Sequence, residues 1–196
     1  MNFAELLTEV YALTNRPDLV AESTSAIKAA TIKAHSSDYY SKDIYETGVS
    51  FDTTATKQSL DYPALITNFR TLKYIRRVEN EFDESGVFFE VLTPDELLDS
   101  YGHNKADVAY IAGRVIELRG SVAFSKCLLG AYVFPITTET NYSSWVADMY
   151  PYAIIYEAAR VVFAIIGLSE QADSFGRLVA EEYQLLRMLG LTDVGY

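Results

Sequence analysis

A chain of 196 residues, 49% of them apolar, has the length of one ordinary domain and enough hydrophobic side chain to build a core, which excludes a chain that stays disordered. Its 16 basic against 27 acidic residues give a formal net charge of −11, which argues against gripping a phosphate backbone, because that needs Lys and Arg to displace counterions. The 15 tyrosines suit positions that are half buried and half wet, as protein interfaces use them.

Along the chain, Phe3, Leu6, Leu7, Val10 and Leu13 recur at helical spacing and predict one apolar stripe. Asn15-Arg16-Pro17-Asp18 breaks that helix and starts the next, with Pro17 suited to a first helical position and Asp18 to the positive helix end. The second helix carries Val20, Ile27, Thr31 and Ala34 on one face, and Ala26, Ala29 and Ala30 keep it thin. An antiparallel helical hairpin over 1–36 is the simplest outcome. No charged-then-apolar leader is read at the start, where Met1-Asn2-Phe3 runs directly into the amphipathic pattern.

After Ser36-Ser37 the character changes. Residues 44–51 are expected to form a strand, and 52–61, polar and Thr-rich, a mobile loop. The stretch 65–78 becomes a strand in its second half, and 87–92 is a further strand. Thr93-Pro94-Asp95-Glu96 reads as a capping box that opens a short helix through Leu97 and Leu98, stopping by Gly102. Segments 107–111, 114–119 and 126–133 look like an antiparallel meander with turns at Ala112-Gly113 and near Gly120-Ser121.

From Ser143 the helical period returns. Residues 145–166 are strongly apolar, with Pro151 either in the first turns or at a kink. Glu157 and Arg160 interrupt the run 153–168, whereas a membrane span needs roughly 20 largely uncharged residues, so this is a core helix and no membrane is expected. Gly167 ends it, and Ser169 caps another helix through Phe175, Leu178, Val179, Leu185, Leu186 and Leu189, which Gly190 ends. The order of helices, strands and helices predicts a single α+β domain, a helical bundle from N- and C-terminal helices with an inserted antiparallel β region. Its parts are the hairpin 1–36, a β-rich insertion 43–136 with one short helix, two long helices over 143–190, and a tail 191–196.

Catalytic and binding signals are sparse. The two histidines, His35 and His103, lie far apart, and no Gly-x-Ser-x-Gly elbow accompanies them. The lone Cys127, in the apolar run Cys127-Leu128-Leu129, can make no internal disulfide, reads as a small buried hydrophobe and fits folding in a reducing cytosol. Metal-ligand spacings, phosphate-binding glycine loops and calcium loops are missing, so no cofactor or metal is expected. Glu5 and Glu9 share a solvated helix face, while Glu157 pairs with Arg160 three residues on. Arg70, Lys73, Arg76 and Arg77, interleaved with Phe69 and Tyr74, form the one basic cluster, but Arg76 and Arg77 would point to opposite faces of a strand. No catalytic residue is assigned.

Several segments, in order, resemble adaptor proteins that extend the portal ring of short-tailed, podovirus-type bacteriophages. They are Asn15-Arg16-Pro17-Asp18-Leu19 with the Ala/Thr helix to His35, then Asp38-Tyr39-Tyr40, Lys73-Tyr74-Ile75-Arg76 and Phe88-Phe89-Glu90-Val91-Leu92-Thr93-Pro94. Val108-Ala109-Tyr110-Ile111-Ala112-Gly113 and the stretch from Trp145 to Ala159 continue the series. The resemblance implies a virion protein of the head-tail junction, assembled in the host cytoplasm. It would be a ring subunit of roughly twelve copies joining the portal protein ring to tail nozzle or tail tube proteins, with genomic DNA passing through unbound. Some relatives of this kind have been linked to cell-wall hydrolysis, so a peptidoglycan hydrolase using a carboxylate pair is the alternative, and nucleic-acid binding through 70–77 a third reading. Interface candidates are Tyr142, Trp145, Tyr150 and Tyr152, with Leu191 and Tyr196 in the tail.

Overall fold

Asn2 starts the first helix, α1 (Phe3–Thr14), through a capping box: its side chain accepts the Glu5 N–H at 2.9 Å while the Glu5 carboxylate accepts the Asn2 N–H at 2.8 Å. Asn15 ends α1 in the left-handed region at φ 52°, which Asn tolerates because its short side chain bonds locally. Pro17 does not open the second helix as expected. It lies in a turn beside the bidentate Arg16–Asp18 pair, and α2 (Val20–Ser36) starts three residues later. Val20 is 54% exposed at that first position, so the buried face of α2 instead begins at Ser23 and runs through Ala26, Ile27, Ala30, Thr31 and Ala34.

The computed structural model describes residues 1–78, 86–96 and 105–192, with side chains through 189. The chain is mixed α/β, with helices and one sheet, and it divides into two units, Met1–Asp43 with Phe134–Tyr196, and Ile44–Val133. In the first unit the C-terminal apolar run splits in two. Helix α3 (Trp145–Met149) stops at Tyr150, whose φ −136° and ψ 55° are not helical, and Pro151 opens α4 (Pro151–Ile165). A proline ahead disfavours helical backbone at Tyr150, while its fixed φ suits the first turn of α4. Gly167, at φ 79°, ends that helix region, and α5 (Ser169–Thr192) follows, running past the expected stop at Gly190.

One apolar cluster joins these helices: Leu6 and Val10 of α1, Ile27 of α2, Ile154, Ile155 and Val162 of α4, and Leu186 of α5 are all 0–1% exposed. Each fully buried aliphatic side chain contributes roughly 1.5–3 kcal/mol over its exposed state, so this cluster is the main stabilising feature of the unit. No helix among the described residues is long and apolar enough to cross a membrane.

In the second unit the strands are β1 (Ile44–Asp61), β2 (Phe69–Arg77), β3 (Phe88–Val91), β4 (Val108–Ala112) and β5 (Val115–Val133), in sheet order β1-β5-β2-β3-β4. β4 also pairs with β5, so β5, β2, β3 and β4 close a four-stranded barrel, with β1 on the other edge of β5. This corrects three expectations. Residues 52–61 are strand rather than loop, because 44–50 pair with 126–132 and 57–61 with 115–119, around an irregularity at 50–57. No turn forms at Gly120-Ser121: β5 runs through it, since both of its halves are held by β1. The sheet is not wholly antiparallel either, because β3 and β4 pair in parallel at Glu90–Val108 and Val91–Ala109. A parallel pair needs a long crossover, and residues 92–107 provide it. It opens on the expected capping box, where Thr93 Oγ1 accepts the Glu96 N–H at 3.2 Å and the Glu96 carboxylate accepts the Thr93 N–H at 2.8 Å. The remainder of that expected helix, Leu97 to Gly102, lies outside the described residues.

A Cβ at Gly130 of β5 would stand 2.4 Å from the Tyr74 ring, which crosses it from β2, so a larger residue there would displace that ring. That crossing delivers the Tyr74 hydroxyl to the Glu46 carboxylate on β1. Burial, then the hydrogen bond to Glu46, pushes the phenol up to about 12. Inside the barrel Leu72, Ile75, Phe89, Ile116, Leu118 and Leu129 form a separate core.

Candidate functional site

The most organised polar cluster lies inside the helical unit. His35, near the end of α2, faces Asp43 from the short 3-10 turn Ser41–Asp43 and Ser144 from the N-cap of α3. Its Nδ1 is 2.7 Å from Asp43 Oδ1 and its Nε2 is 2.9 Å from the Ser144 hydroxyl, while the Trp145 indole N–H donates to the same Asp43 oxygen at 2.7 Å. A neutral imidazole that donates from Nδ1 to the carboxylate leaves Nε2 to accept from serine, which satisfies both ring nitrogens. The Trp145 ring stands edge-on to His35 and Tyr40, at 5.5 and 5.2 Å between centroids.

Hydroxyl, imidazole and carboxylate in that sequence are the parts of a nucleophilic triad. Here the hydroxyl is already committed: Ser144 Oγ accepts the Ala147 N–H at 3.2 Å as a helix cap. His35, Asp43 and Ser144 are 2%, 4% and 5% exposed, and a nucleophile without an open face meets no substrate. The cluster therefore pins three segments together, and its second carboxylate oxygen, Asp43 Oδ2, has no hydrogen-bond partner among the described residues. Sequence reading found His35 but not its partners. The N-cap at Ser144 is a local signal, whereas the pairing spans 109 positions and has none.

A second cluster lines a groove of about 720 Å³ between α2, α4 and α5. Glu157, whose side chain is 4% exposed, accepts from Arg160 Nε at 3.0 Å, Arg160 Nη2 at 2.7 Å and Lys33 Nζ at 2.7 Å. Burial raises its carboxyl, but the hydrogen bonds from Arg160 and Lys33 outweigh that and hold it below the usual carboxylate range. The local pair with Arg160 was expected from sequence; Lys33, 124 positions away, was not. Tyr183 borders the same groove with its hydroxyl buried and without a hydrogen-bond partner among the described residues, and burial first, then Glu157, raises its phenol.

The expected interface residues fall into different environments. The Tyr142 hydroxyl meets Thr31 Oγ1 at 2.8 Å, and its ring packs on the helical core beside Phe3. Trp145 is half buried by the contacts above, with Lys42 over its ring at 5.3 Å, and Tyr150 stands edge-on to it at 6.3 Å. Tyr152 is 48% exposed and lies against Tyr156 at 5.2 Å. The Leu191 side chain, Tyr196 and His103 lie outside the described residues.

On β2 two of the basic residues are engaged locally. Arg77 turns to Asp107 at 3.7 Å, and Lys73 lies over the Tyr132 ring at 5.6 Å. Cys127 is 1% exposed and burial pushes its thiol up to about 12, so it is an inert core residue. Among the described residues no group of three or more His, Cys, Asp or Glu side chains is placed to hold a metal ion. The chain matches no protein-family profile and no curated protein sequence.

Proposed function

We propose that this protein is a head-to-tail adaptor, a ring subunit that joins a phage portal to the tail and carries no chemistry of its own. In this reading the terminal helices form a bundle that builds the ring, and the β region 44–133 is inserted into it. The observation that carries the proposal is the ordered series of segments that resemble such adaptors. Those segments coincide with the α1–α2 turn, α2, β2, β3, β4 with its turn, and α3 through most of α4.

Three further features support it. The serine–histidine–aspartate arrangement at His35 is buried and committed to capping, which disfavours acyl transfer at that place. A net charge of −11 suits a wall around passing DNA, because a phosphate-binding surface would retain the genome. Large apolar side chains at Tyr152, Ile165, Leu178, Leu185 and Met188 are 38–61% exposed on the C-terminal helices, as expected of surfaces that meet other subunits.

Native mass spectrometry of the protein alone, then with the portal protein of the same phage, tests the role. The expected result is a monomer at micromolar concentration and a portal-bound oligomer in the mixture. No binding to portal at any salt concentration would remove the proposal.

A further inference from the structure

Helix α5 presents two unlike stripes on opposite sides. Gly176, Ala180, Tyr183 and Arg187 recur at i, i+4, i+7 and i+11 and line the groove. Leu178, Glu182 and Leu185 repeat the same i, i+4, i+7 spacing two residues later. At about 100° per residue, an offset of two places the second stripe roughly 200° around the helix from the first.

The two stripes are complementary in shape and charge. The groove stripe is shallow where Gly176 and Ala180 stand, and its rim holds Lys33, Arg160 and Arg187 against a single carboxylate, Glu157. Glu157 already occupies Lys33 and Arg160, whereas Arg187 is exposed and makes no ion pair among the described residues. The groove is thus cationic on a protein of net charge −11. The opposite stripe projects Leu178 and Leu185, 38% and 45% exposed, on either side of Glu182. Glu182 is half buried beside Glu181, with no cation paired to it among the described residues. Partial burial first, and then Glu181, raises its carboxyl, a sign of a charge without compensation.

We infer that the groove of one copy receives the Leu178–Glu182–Leu185 stripe of a second copy. The leucines then seat along the face that carries Ala180, and Glu182, between them, reaches Arg187, the rim cation that Glu157 leaves unpaired, with Lys33 across the same groove. Because the two surfaces differ and face opposite ways, the contact is head-to-tail and propagates around a ring instead of closing as a two-fold dimer. The proposal rests on the ring reading above and names the contact through which neighbours would meet.

The test mixes equal amounts of nitrogen-14 and nitrogen-15 protein, assembles them on the cognate portal, and couples carboxylates to lysines with a zero-length carbodiimide. The expected product is a mixed-isotope peptide pair joining Glu182 or Glu181 to Lys33. E182R and R187E, each verified as folded by circular dichroism, should each need at least about tenfold more protein to load the portal. The double variant E182R/R187E, which exchanges the charges, should restore loading. Single variants that load normally, together with no mixed-isotope pair, overturn the contact and leave the adaptor role standing. If the wild-type protein does not load at all, the adaptor role fails. The same coupling on concentrated protein alone, at low salt, then decides the contact: a mixed pair sustains it and its absence overturns it.

Discussion

Replacing Glu157 with glutamine isolates what its buried ion cluster contributes, because the shape is kept and only the charge is lost. Glu157 accepts three hydrogen bonds from cations, two from Arg160 and one from Lys33. A hydrogen bond to a charged group contributes about 1.5–3 kcal/mol, so a sum over three would be large. Two facts reduce it. The Arg160 and Lys33 side chains are 35% and 51% exposed, so both rehydrate once the carboxylate is gone. Glutamine also keeps one acceptor oxygen. The loss therefore falls between a surface pair, about 0–1 kcal/mol, and a fully buried pair that loses one member, about 3–5 kcal/mol. An expected cost of about 2 kcal/mol for Glu157→Gln lowers the melting temperature of the 196-residue chain by roughly 4–8 °C. The carboxyl is held below its ordinary value in the folded state, so its stabilisation is complete above the unfolded value of about 4.3 and is lost as pH falls through the folded one. Thermal melts of both proteins from neutral to acid pH should show the full gap at pH 7 and a closing gap under about pH 4. Equal melting temperatures at pH 7, or a gap that persists in acid, would refute this reasoning.

Val162 is 0% exposed in the helical core, so Val162→Asp buries a charge without a partner at a cost of several kcal/mol. Far-UV circular dichroism should show failed folding or a sharply lowered melting temperature, and an unchanged one would place α4 on the surface. Ser144→Ala removes a helix cap worth about 0.5–2 kcal/mol and leaves the His35 ring nitrogen without its hydroxyl, so urea unfolding should show a loss of roughly 2 kcal/mol. With bacterial peptidoglycan the wild-type protein should release no muropeptides; release abolished by Ser144→Ala in a folded variant would make the buried cluster catalytic after all. Double-stranded DNA should bind weakly and dissociate at about 150 mM salt. Submicromolar retention there, removed by Arg76→Ala with Arg77→Ala, would contradict the reading that a net charge of −11 keeps DNA away.

What could be read from the sequence was local. The stripes of α1 and α4 follow a 3.6-residue period, Asn15 and Gly167 stand where helices end, and Thr93 and Glu96 signal their own cap. Cys127 was legible as core because its neighbours are apolar. What was lost depended on partners distant in the chain. Residues 52–61 carry too few apolar side chains to announce a strand; their pairing with 115–124 makes them one. Gly120-Ser121 has turn chemistry, yet β1 holds both flanks of it in line. The parallel pairing of β3 with β4 leaves no trace in either strand alone. The site clusters show the same division: Glu157 with Arg160 was readable at a spacing of three, while Lys33 and the Ser144–His35–Asp43 pin required the folded chain.

The proposed adaptor role is tested most directly by electron microscopy of the purified protein mixed with its cognate portal. The account predicts an added layer of density coaxial with the portal and an open channel through its centre. The helices of residues 1–43 and 134–192 should form the ring wall, with neighbours meeting through opposite faces of α5. Portal particles that remain bare at low and at physiological salt would contradict it.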